Sequence, residues 1–132
     1  MSPTRVVAFW CLAAACSSGG PGGYLVQPPP PPATNNPAPT AASVAMVSSS
    51  DGYGTATHSF VPATVTIARF GTVTWTNESG YAHNVTFTPR TGAPTNIPDM
   101  TAGSASRNFT VAGTFSYRCT NHAGMQGDVV VQ

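Results

Sequence analysis

The sequence predicts an all-β protein, a small β-sandwich of about seven or eight strands built from residues 41–132. Three observations carry that expectation. Short β-branched and aromatic runs recur between Gly, Pro, Asn and Asp. Two runs alternate with a period of two: Val73 and Trp75 oppose Thr72, Thr74 and Thr76, and Phe115, Tyr117 and Cys119 oppose Ser116 and Arg118. No window of about 11 to 18 residues carries helical periodicity.

Taken in order, the strands are expected at 43–47, 64–68, 72–76, 84–88, 106–110, 114–119 and 128–131. Each has one apolar face, and packing two sheets together buries all of them. Residues 51–59 are rich in Gly and Thr and give no strand. Residues 90–103, rich in Gly, Pro, Thr and Asn, read as a connecting loop with room for one helical turn. In the strand ending at Cys119, an inward Phe115 brings Tyr117 and the Cys119 sulfur inward with it.

The first 15 residues read as an export signal. Arg5 precedes an apolar run from Val6 to Ala15, too short to span a bilayer as a mature helix. Small residues before Cys16 resemble a bacterial lipoprotein signal, which makes Cys16 the lipidated first residue of the mature chain. Ala13 and Ala15 also fit ordinary signal cleavage. Residues 16–40 then form a Gly- and Pro-rich linker, with Pro28 to Pro32 an extended spacer and no periodicity that could bury a core. The expected layout is a signal over 1–15, a tether over 16–40 and one folded domain over 41–132.

Charge excludes some partners. Only 7% of residues are charged, lysine is absent, and the arginines beyond Arg5 are balanced by Asp51, Glu78, Asp99 and Asp128. No basic field exists for nucleic acid or for an anionic membrane. Contact with a membrane is expected only through the lipid anchor.

Beyond Cys11 and Cys16, the domain holds a single cysteine, Cys119. A disulfide from Cys16 to Cys119 would close a long structureless loop, and a zinc site needs more ligands than the chain comfortably offers. A lone thiol in an oxidising compartment calls for burial or a bound partner. Cys119, His122 and Met125 fall within seven residues at a strand end. They supply a thiolate, an imidazole and a weak thioether. One further histidine would complete the cysteine, two histidines and distant methionine associated with blue copper. His83, at the start of a strand, is the better candidate, and His58 reads as a surface residue. Met100 or a backbone carbonyl is the alternative in the axial place; Met46 and Met100 otherwise read as packing or loop residues.

His83 with Asn84, the Cys119-x-x-His122-x-x-Met125 loop, and the stretches Phe60-Val61-Pro62 and Gly71 to Asn77 together resemble the cupredoxin family of plastocyanin- and azurin-like type 1 copper proteins. The spacing from His122 to Met125 is similar to that of amicyanin. The resemblance implies a Greek-key sandwich with one copper ion per chain, cycling between Cu(II) and Cu(I), held by His83, Cys119, His122 and Met125. It also implies that Asn84 and Thr120 hydrogen-bond across the site. Asn121 stands where many members carry proline, which leaves the stiffness of the loop open.

The function that follows is passage of single electrons between redox proteins of the cell envelope, periplasmic or extracellular, by a monomer that docks transiently near His122. All four inner positions are filled by protein, so no enzymatic activity is expected. A copper delivery or buffering module is the alternative.

Overall fold

A computed structural model describes residues 36–132; the export signal, Cys16 and most of the linker lie outside the described residues. Nine strands follow: β1 (Ala41–Ser50), β2 (Ala56–Val61), β3 (Thr64–Ile67), β4 (Gly71–Asn77), β5 (His83–Phe87), β6 (Ile97–Met100), β7 (Gly103–Phe109), β8 (Gly113–Arg118) and β9 (Gln126–Val131). No helix occurs among the described residues.

The strands form two sheets, ordered β2-β1-β4-β7 and β3-β9-β8-β5-β6. Most successive connections cross from one sheet to the other, as in a Greek-key sandwich. The alternation read from the sequence is what closes it. Val73 and Trp75 of β4 are buried against Phe115 and Tyr117 of β8, with Phe60, Phe87, Phe109, Val129 and Val131 around them. Trp75 and Tyr117 meet nearly edge-on, ring centroids 5.3 Å apart at 88°. Each such side chain contributes roughly 1.5–3 kcal/mol on burial.

All seven expected strands are present, and two more appear. Residues 56–61 pair antiparallel with β1 and form β2, although 51–59 had read as strandless. Residues 97–100 pair with β5 as β6, inside the stretch expected to be a loop. Both are short edge strands whose partners, more than their own composition, make them strands.

One asymmetry of length places the site. β1 runs parallel to β4, but the register ends at Met46 opposite Asn77. Residues 47–50 and their β2 partners therefore project past the end of the sheet. The inward face of β1 passes from Val44 and Met46 to Ser48, and that of β2 passes from Phe60 to His58. At the opposite pole, the carbonyl of Pro39 accepts from Ala68 N (2.8 Å) and that of Gln132 from Arg69 N (2.8 Å).

Candidate metal centre

The structure brings the expected residues to one end of the sandwich. His83 begins β5 and is fully buried; Cys119 follows β8 at 3% exposure, and Met125 precedes β9 at 1%. Between Cys119 and Met125 the chain makes one tight loop. Cys119 N donates to the Met125 carbonyl at 2.9 Å, and Met125 N to the His122 carbonyl at 3.3 Å. Gly124, at φ 80°, supplies the left-handed turn the loop requires.

Cys119 Sγ lies 3.9 Å from His83 Nδ1 and 3.5 Å from His122 Nδ1. For a trigonal ion with bonds of about 2.3 Å to sulfur and about 2.0 Å to nitrogen, the sulfur–nitrogen separation is about 3.7 Å. The two observed distances straddle that value, so the donor set fits a thiolate- and imidazole-bound metal. Burial lowers the pKa of His83, with His122 and His58 adding to the effect, and burial followed by His58 lowers that of His122. Both rings are thus held neutral near pH 7, as ligands must be.

Asn84 ties the two ligand-bearing segments together. Its Nδ2 donates to Thr120 Oγ1 (2.8 Å) and to Asp99 Oδ1 (2.8 Å), and its Oδ1 accepts from Thr120 N (2.9 Å). Asn121 adds two bonds, from its Nδ2 to Asp99 Oδ1 (2.8 Å) and to the Ala82 carbonyl (3.1 Å). Its side chain therefore fastens the ligand loop to the residue before His83. Asp99 receives both amides, which hold its carboxyl below the ordinary range.

Three contributors escaped the sequence reading. Asn77, fully buried, donates to the carbonyls of Tyr81 (2.8 Å) and Met100 (2.7 Å) and accepts from Ser79, shaping the turn into His83. Ser48 Oγ is 3.0 Å from His83 Nε2 and 2.8 Å from His58 Nδ1. His58 stacks on His122 with centroids 3.6 Å apart and planes at 21°. A serine in a serine run and a histidine after a Gly-rich stretch give no hint of this contact; only the β1–β2 register does.

His58, His83 and His122 bring ring nitrogens within 4.8 Å of one another, a cluster able to hold a metal ion. The His58 and His122 rings lie nearly face to face, however, a poor arrangement for both to share one ion. His83 and His122 instead both turn Nδ1 toward the thiol. His58 is the outer member of the cluster, half-buried rather than simply on the surface. Met46 is in the core, and Met100 packs partly buried against it.

Residues 47–132 match the family described as copper binding proteins, plastocyanin/azurin family. A chloroplastic plastocyanin of Tetradesmus obliquus is 36% identical over 85 residues, covering 55% of this chain and 58% of the relative. An amicyanin of Paracoccus denitrificans is 44% identical over 64 residues, 46% of this chain and 49% of the relative. The chain thus spans only about half to three-fifths of the length of these two relatives. Among solved structures, a purple cupredoxin from Nitrosopumilus maritimus superposes with a TM-score of 0.57 at 25% identity, covering 69% of this chain and 99% of that one. A reduced single-substitution variant of amicyanin gives 0.56 at 28% identity, covering 70% and 83%. Members of the family are typically periplasmic or extracellular. With the family profile spanning residues 47–132, most of the domain, this chain belongs to the plastocyanin/azurin family of copper-binding proteins.

Proposed function

We propose that the protein carries single electrons through one type 1 copper centre held by His83, Cys119 and His122, with Met125 as the weak axial ligand. The observation that supports this most is the convergence of two imidazole nitrogens on one buried thiol, at 3.5 and 3.9 Å. Copper bound there supplies a one-electron couple. The protein's part is to keep the donors still while the charge changes, and the Asn84, Asn121 and Asn77 bonds serve that end. With four protein donors and no open position for a substrate, the chain is a carrier and not an enzyme.

His122 is the half-buried ligand, beside exposed Ala82, Ala123 and Gly124 and half-exposed Tyr81. That small uncharged face suits brief docking of a redox protein with little electrostatic steering. A lipid anchor at Cys16, a monomeric state and a place in the cell envelope complete the reading.

The test is spectroscopic. Cu(II) added to the purified protein should give an intense visible thiolate-to-copper band and a narrow copper hyperfine splitting, and Cys119→Ser should abolish both. A colourless protein, or an unchanged spectrum in the variant, would reject the proposal. Reversible voltammetry separates an electron carrier from a copper-delivery module.

A further inference from the structure

We propose that Ser48 and His58 form an outer bracket of the metal centre, each acting as a positioning residue for one histidine ligand: Ser48 for His83, His58 for His122. This rests on the reading of the site as a copper centre, but the contacts that carry it exist in the copper-free protein.

The bracket follows from the overhang of the β1–β2 hairpin. Ser48 and His58 are directly opposed partners in the antiparallel register, so one side chain sits beside the other. They occupy the inward face, in phase with Met46 and Phe60, but beyond the point where β4 ends and the core gives out. Small and polar groups at an inward position need partners there, and both find them in the ligands.

His83 shows why the hydroxyl matters. With Nδ1 given to the metal beside Cys119, the ring's proton sits on Nε2, which must donate. The ring is fully buried, and among the described residues its Nε2 partner is Ser48 Oγ at 3.0 Å. A hydroxyl can accept that bond and donate its own proton onward, here to His58 Nδ1 at 2.8 Å. One chain of two hydrogen bonds thus sets the tautomer and rotation of His83 and fixes the plane of His58. That plane then lies against His122 at a centroid spacing of 3.6 Å. Tyr81 also meets His58, edge-on at 5.2 Å. His122, on a loop with glycine next but one, is thereby pinned by a ring that comes from the other sheet.

The consequence is mutual. Supports of metal-bound imidazoles typically alter affinity or activity by about 10- to 100-fold when removed. The bracket holds both rings by hydrogen bond and stacking, neither of which depends on the oxidation state of the metal.

The experiment uses the full chain and four variants: Ser48→Ala, Ser48→Thr, His58→Ala and His58→Phe. Copper affinity is measured by competition with a chromophoric chelator, beside the visible spectrum. Ser48→Ala and His58→Ala should each weaken binding by roughly 10- to 100-fold while keeping the band position. Ser48→Thr, which retains the hydroxyl, and His58→Phe, which retains a stacking ring, should recover most of that loss. In the copper-free protein, His122 ring-proton shifts should move in His58→Ala and stay displaced in His58→Phe. Wild-type affinity in both alanine variants, or equal losses in His58→Phe and His58→Ala, would overturn the bracket. Complete loss of the visible band in His58→Ala would overturn it too, by making His58 a ligand. A wild-type protein that stays colourless would instead reject the electron-carrier reading, and the copper-free shifts would still decide on the bracket.

Discussion

Replacing Asn84 with alanine removes the most connected side chain of the site. Asn84 is only 7% exposed and makes three bonds of 2.8–2.9 Å, two to Thr120 and one to Asp99. The Asp99 bond reaches a fully exposed carboxylate and is discounted for solvent. The two Thr120 bonds contribute about 0.5–1.5 kcal/mol each, with a further cost of about 1 kcal/mol if the Thr120 N–H is left unpaired. The expected loss is therefore about 2–4 kcal/mol. With a urea slope of about 2 kcal/mol per molar, the midpoint should fall by about 1–2 M. Equilibrium unfolding of the copper-free protein, followed by tryptophan fluorescence, measures it. A double-mutant cycle with Thr120→Ala should return a coupling of about 1 kcal/mol or more, since the pair shares both bonds. A loss under about 0.5 kcal/mol, the range of an ordinary surface change, would refute the view that this pair fastens the ligand loop to β5.

Three further expectations concern the sandwich. Burial raises the pKa of the Tyr117 phenol to about 12, opposed by Trp75 and aided by the charge of Asp128. Between pH 10 and about 12 the folded state keeps a proton that the unfolded chain has released, so stability should fall over that window, by roughly 2–3 kcal/mol at most; urea midpoints against pH give the slope, and a flat profile contradicts it. In Gly127→Ala the new methyl would meet the Ala63 carbonyl and, at 2.6 Å, the Tyr117 hydroxyl. Overpacking there should cost about 1–3 kcal/mol, seen as a lower melting temperature. Phe70 sits at φ 65° with 66% of its surface exposed, so Phe70→Asn should stabilise the protein by about 1 kcal/mol through relief of backbone strain.

Much of the candidate site can be read from the sequence because its signal is local. Cys119, His122 and Met125 share a seven-residue loop, and the alternation of β8 alone turns the sulfur inward. His83 could be chosen because it opens a strand with visible alternation. What stayed hidden depends on pairing across long separations. β2 carries Ala, Thr, His and Ser on a sheet edge, and nothing in those residues states that β1 outruns β4. His58 therefore read as surface until the Ser48 register placed it on His122. The same holds for β6: Ile97 and Met100 flank a proline and an aspartate, a weak strand until β5 supplies its partner. Asn121 posed the opposite difficulty. Its departure from proline is plain in the sequence, while the replacement for that stiffness lies in bonds to Ala82 and Asp99 that only folding assembles.

The carbonyls of Pro39 and Gln132 both lock onto the turn between β3 and β4. Both ends of the described chain thus leave from one pole, and the ligands occupy the other. β1 climbs between them, about 33 Å for ten residues at the usual strand rise. The described chain therefore begins and ends at the pole away from the candidate ligands. If the proposed centre exchanges electrons, immobilising the protein through Gln132 should leave the His122 face open to a partner.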